Sequence, residues 1–90
     1  MAEVRAGVDA VDKQLLELLA RRFGYMDAAA RIKTTRNAVR DEARKKQVID
    51  NVCSEAEKRG LPQDLVAQLW EHLVEGSIAY EFERWDQTRG

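Results

Sequence analysis

Five polar residues stand where the hydrophobic pattern of a helical protein asks for apolar ones. Arg22 continues the series Val4, Val8, Val11, Leu15 and Leu18. Lys33 follows eleven residues later, about three helical turns on and on nearly the same side. Arg44 precedes Val48, Val52 and Ala56 at the same four-residue step, and Ser77 with Glu81 replace the leucines of the series Leu65, Leu69, Leu73. A lone guanidinium taken out of water costs several kcal/mol unless it meets an anion. Arg22, Lys33 and Arg44, with only Glu81 and Asp41 to offset them, leave a positive surplus and so describe a site for a small anion. The rigid fork of arginine binds a carboxylate through two parallel hydrogen bonds, so the expected ligand carries more than one carboxylate. Any one of these residues alone could equally snorkel, its stem covering apolar surface and its head in water. Five interruptions together favour a site.

Other candidates carry less. His72 is the sole histidine and has no companion at metal-ligand spacing, so it reads as structural. Cys53 reads as a small core residue, and Trp70 and Trp85 fit the spacing of a helical core. Lys45, Lys46 and Arg59 read as a solvated face. No Ser/His/Asp set, glycine-rich phosphate loop, metal motif or cofactor motif is visible. An enzyme built on this chain would work without an obvious nucleophile, metal or cofactor.

The elements that carry these residues are helices. The first stripe runs on through Arg22, then Tyr25 or Met26, Ala29 and Ile32, at the alternating four- and three-residue spacing of an amphipathic helix. It predicts one helix from about Glu3 to Lys33, roughly 45 Å long. Residues Thr34–Arg40 break the pattern and read as a short, polar, mobile loop. A second helix is expected from about Asp41 to Arg59, with Asp41 or Asn37 as its cap and Gly60 where a left-handed C-terminal residue belongs. Leu61-Pro62 opens a third, whose apolar residues come in pairs from Leu65/Val66 to Trp85. The fold class is therefore all-α, three helices with a long first one, and residues 1–90 are expected to form one helical domain.

Length and composition bound the function. Ninety residues allow one domain. A globule of that size has a radius of gyration near about 12 Å, which a helix of roughly 45 Å overshoots. Its apolar stripe would hang in water, so an intertwined homodimer is the expected remedy. Fifteen Lys+Arg against sixteen Asp+Glu give a net charge of −1, which argues against a nucleic-acid partner. No uncharged stretch approaches the ~18 apolar residues of a membrane span, and the first residues lack a secretory signal. With a single cysteine, the expected compartment is the cytoplasm.

The order of these features resembles the all-helical chorismate mutase family over nearly the whole chain. The matching residues are Arg5 near the start of the long helix, Arg22 and Lys33 along it, and Asp41 with Arg44 in DEARK. GLPQDLV at the third helix and Ser77 with Glu81 in EGSIAYE complete the set. Within the family the chain looks closest to the isochorismate pyruvate lyase branch. The run RR-x₂-Y-x₂-AA-x-R-x-K from Arg21 to Lys33 and the closing W-x-QTRG from Trp85 to Gly90 are similar to it.

The resemblance implies intertwined dimers with two equivalent sites, each closed by Arg5 from the partner's long helix. It implies that Arg22 and Arg44 grip the two carboxylates of chorismate or isochorismate. Lys33 and Glu81 would face the ether oxygen, with Asp41 lining the site and Ser77 near the ring carboxylate. Chorismate mutase activity is the first expectation and isochorismate pyruvate lyase the second, with a non-catalytic helical dimer that binds a dicarboxylate as the alternative of another class. Two positions depart from the family pattern. Lys45 stands where typical mutases have a glutamate that bonds the ring hydroxyl, which suits a substrate with its hydroxyl elsewhere. Glu81 stands where the lyase branch and many mutases have glutamine. A carboxylate donates to an ether oxygen only when protonated, so the expectation is an acidic pH optimum.

Overall fold

The helix formers of the first third of the chain hold a continuous helix, α1, over Ala2–Ile32. Glu3 in its first turn and Arg31 in its last complement the helix dipole. The computed structural model describes residues 1–89, so Gly90, the end of the W-x-QTRG stretch, lies outside the described residues. α1 stops one residue short of expectation, and Lys33 is already extended, with φ −64° and ψ 131°.

The expected loop is partly ordered. Arg36–Val39 form a 3₁₀ turn whose last residue, Val39, is buried. Arg36 clasps Asp86 through two bonds of 2.8 and 3.2 Å, with its guanidinium over the Phe82 ring. Arg40 clasps Glu75 in the same two-pronged way. Polar residues read as free loop are thus arginine anchors, which period-based reading cannot detect.

Asp41, rather than Asn37, caps the second helix α2, Glu42–Lys58, by accepting from the Arg44 backbone at 3.0 Å. Gly60 adopts φ 69° and closes α2 in a Schellman turn, Leu61 N donating to Ala56 O and Gly60 N to Glu57 O. The third helix, α3, spans Gln63–Arg89, its first turn accepting at the Pro62 carbonyl.

Packing runs through α3: α1 and α2 each lie against it, and the 3₁₀ turn covers it. The core is thin, with Ala30, Val39, Ala56 and Val74 as its buried apolar residues. Phe23 meets Tyr80 edge-on at 4.8 Å, and the Tyr80 hydroxyl donates to Asp27. Among the described residues, two buried ones are polar, Ser77 and Glu81. The chain measures 51 × 25 × 15 Å, with a radius of gyration of 15.8 Å, well above the about 12 Å of a compact chain this long. No helix among the described residues is long and apolar enough to cross a membrane.

Candidate active site

Where the three helices converge, a cavity of about 320 Å³ opens, at the small end of the range for ligand sites. α1 contributes Arg22, Met26 and Ala29 to its wall, and Lys33 follows at the helix end. Asp41, Arg44, Lys45 and Val48 come from the start of α2, and Ser77, Ile78 and Glu81 from the middle of α3. Four cations therefore face two carboxylates.

Ser77 sits almost fully buried because its hydroxyl has two partners. It donates to the Leu73 carbonyl one turn back at 2.7 Å and accepts from Arg22 Nη1 at 2.6 Å. Its single proton is committed within the helix, so toward Arg22 it acts as an acceptor that aims the guanidinium. Glu81, also buried, accepts from Lys33 Nζ at 2.7 Å. The Glu81 carboxylate is thus the acceptor of an ion pair rather than a donor.

Neither Arg22 nor Arg44 has a carboxylate within ion-pair distance among the described residues. Arg44 Nη1 is held by Gln47 at 2.6 Å. Burial, and then repulsion from Arg44, pushes the Arg22 guanidinium below its ordinary value, yet arginine keeps its charge at any ordinary pH. Two guanidiniums that repel each other and lack a carboxylate counter-ion are primed for an added anion. Their planar forks suit carboxylates in particular.

Lys45 departs from the solvated face expected of it. Its side chain is only 17% exposed, lines the cavity, and bridges to Glu71 at 2.7 Å and Glu75 at 2.9 Å. The signal was present: Lys45 precedes Val48, Ile49 and Val52 at helical spacing on the same stripe. Lys46 and Arg59 are exposed as expected, each paired within its own helix. His72 and Cys53 lie outside the cavity wall, and among the described residues no three His, Cys, Asp or Glu side chains gather as a metal site.

Of the sequence-derived candidates, Arg22, Lys33, Asp41, Arg44, Ser77 and Glu81 line one cavity. Arg5 does not. It lies seventeen residues before Arg22 on α1, about 25 Å along the axis, exposed on the free end of the helix.

The family described as chorismate mutase type II matches residues 4–82. The chain belongs to that family. Its members' name marks them as enzymes, and the match covers every residue that lines the cavity. An isochorismate pyruvate lyase of Pseudomonas aeruginosa is 30% identical to the chain over 90 residues, covering all of this chain and 89% of that protein. The chorismate mutase fold and its lyase branch are thus both represented, as the motifs from Arg21 to Lys33 and in EGSIAYE led us to expect.

Proposed function

We propose that this protein is a chorismate mutase whose cavity holds chorismate and lets it rearrange to prephenate. The observation that carries the reading is the pair Arg22 and Arg44, two guanidiniums without a carboxylate on the wall of one small cavity. They take the two carboxylates of the substrate, Asp41 fixes the start of α2 that carries Arg44, and Ser77 aims Arg22. In the rearrangement the ether C–O bond breaks as a C–C bond forms within the same molecule, so no nucleophile is required. The protein holds the folded conformer and supplies positive charge where the ether oxygen gains electron density. Lys33 is that charge, and Glu81 steadies its ammonium or, once protonated, donates to the same oxygen.

A second reading is isochorismate pyruvate lyase activity in the same cavity. There a ring hydrogen passes to the departing enolpyruvyl group, which leaves as pyruvate while the ring becomes salicylate. Two observations favour it: the relationship to the Pseudomonas lyase, and Lys45 bound to Glu71 and Glu75 where a mutase presents a glutamate.

The working unit is a homodimer of single-domain chains. Every large apolar residue of α1 from Val4 to Leu18 is more than half-exposed, between 52% and 65%, and burying what each still exposes contributes on the order of 1 kcal/mol. Pairing this half of the helix with a second copy carries Arg5 to the partner's cavity as a third grip on the ligand. A non-catalytic dicarboxylate-binding dimer would share all of this geometry and lack turnover.

One assay separates the readings. The protein is incubated with chorismate and, separately, with isochorismate, and prephenate or salicylate plus pyruvate is measured. Prephenate supports the first reading, salicylate with pyruvate the second, and saturable binding without product leaves only a binding module.

A further inference from the structure

The end of α3 lies beyond the matched span, and the reading above gives it no role. It nonetheless holds the backbone of the lysine on which that reading depends. Helix ends leave carbonyls without intrahelical donors, and a glycine turn commonly satisfies them. No glycine follows α1; the chain continues Lys33-Thr34-Thr35. Donors come from α3 instead. The Lys33 carbonyl accepts from Trp85 Nε1 at 3.1 Å and from Arg89 Nη2 at 2.6 Å. Arg89 Nη1 donates to the Ala30 carbonyl at 2.9 Å, and the guanidinium lies 4.5 Å from the centre of the Trp85 ring. At the other end of the same residue, Lys33 Nζ donates to Glu81.

Glu81, Trp85 and Arg89 follow one another at four-residue steps, so they share one face of α3. That face grips Lys33 twice, by its ammonium and by its carbonyl. We propose that Trp85 and Arg89 are positioning residues, which fix the Lys33 backbone and thereby set where its ammonium stands in the cavity. Without them Lys33 is the first non-helical residue of a frayed end, carrying its charge on a flexible four-carbon stem. A displacement of about 1 Å at a reacting centre costs up to about 100-fold in rate. Arg22 and Arg44 are held by other contacts, through Ser77 and Gln47, so the grip on the carboxylates survives. The effect therefore falls on kcat more than on KM.

For its kinetic readout the inference rests on the functional reading above; a second readout is independent of it. Trp85→Phe removes the indole donor while keeping a smaller aromatic ring, Arg89→Ala removes the clamp, and Arg89→Lys restores one cationic donor. Helix content and thermal unfolding are checked by circular dichroism. The side-chain resonance of Lys33 is followed in lysine-labelled protein and assigned with Lys33→Arg. We expect Arg89→Ala to lower kcat about 10- to 100-fold with KM within about threefold, Arg89→Lys to recover part of it, and Trp85→Phe to fall between. The Lys33 signal should move in Arg89→Ala and Trp85→Phe alike. An unmoved Lys33 signal overturns the inference whatever the rate does, and so does unchanged kcat in two folded variants. Should Arg89→Ala not fold, Trp85→Phe decides alone. Should the unmodified protein turn over neither substrate, the functional reading fails, and the Lys33 resonance by itself still decides the positioning.

Discussion

The two halves of α1 share one periodicity and meet opposite surroundings. From Val4 to Leu18 the stripe is valine and leucine, all more than half-exposed. From Leu19 onward the same stripe turns to Arg22, Met26 and Ala29, lies against α3, and is crossed by polar bonds from Ser77, Tyr80, Glu81, Trp85 and Arg89. Apolar burial in the first half would be strong and indifferent to geometry. Hydrogen bonds in the second are individually weak, yet each fixes a direction. One helix thus carries an exposed apolar face, the docking face of the proposed dimer, followed by part of the cavity wall. Arg22 is its first polar residue on the cavity side, and Arg5 belongs to the docking half.

The largest test of this division strikes the cavity half alone. Arg22→Ala and Lys33→Ala should each lower kcat/KM by about 10²–10³-fold while helix content and oligomeric state stay as they were. Normal turnover in both folded variants would remove the cavity from the chemistry.

A complementary test asks whether the halves of different chains work together. Arg5→Ala should lose activity, as should Lys33→Ala. In a refolded mixture of the two, half the dimers pair one chain of each kind, and in those one of two cavities keeps both residues. Mixing should then restore about a quarter of the original activity, as two-fold symmetry requires. No recovery would mean that Arg5 serves its own chain or no site.

The docking half is tested by charge. Leu15→Lys on an exposed helix of a monomer changes stability by less than about 0.5 kcal/mol. Within an apolar interface it buries an unpaired ammonium at a cost of several kcal/mol. We expect the dimer to dissociate, read by light scattering at the same protein concentration, and the activity that needs Arg5 to fall with it. A Leu15→Lys protein that keeps its size and melting temperature would show that this half of α1 has no partner.

Glu81 offers a smaller effect within the cavity. Glutamine donates at every pH, whereas a carboxylate bound to Lys33 draws on the charge that the ether oxygen needs. Glu81→Gln should extend activity toward neutral and alkaline pH by about tenfold or less, the scale of one neutral hydrogen bond. An unchanged pH–rate profile would confine Glu81 to steadying Lys33.

The helices were legible in the sequence because apolar residues recur with the period of the element they form, and because Asp41 and Gly60 carry the chemistry of a cap and a left-handed turn. The cavity was legible through violations of that pattern: Arg22, Ser77 and Glu81 sit where leucine would satisfy the period. Contacts between residues far apart in the chain leave no such mark. Nothing in the spacing of Arg40 and Glu75, or of Lys33 and Arg89, announces that they meet. Lys45 escaped for a different reason. Flanked by Arg44 and Lys46 it resembles a solvated run, though it lines the cavity with Arg44 and only Lys46 is turned away from it.

Glu75 permits the finest test of the contrast between the docking half of α1 and the cavity wall. Arg40, then Lys45, hold its carboxyl well down, to about 2, so the end of the 3₁₀ turn and one cavity wall share a single carboxylate. A depressed folded value means the contribution to stability is complete above the ordinary carboxylate range near about 4.3. It is lost as pH falls toward about 2. Because Glu75 is half-exposed, solvent and salt screen the contribution, which should be small. The docking half relies on valine and leucine, which do not titrate. On acidification from about pH 4.5, amide exchange in residues 36–45 should therefore quicken while the dimer persists. Glu75→Gln should show the faster exchange already at neutral pH and respond less to acid; added salt should move the unmodified protein toward the variant. Were exchange in residues 36–45 to rise only together with loss of the dimer, the cavity wall and the docking half of α1 would be one cooperative unit, and the division between them would be one of location rather than of stability.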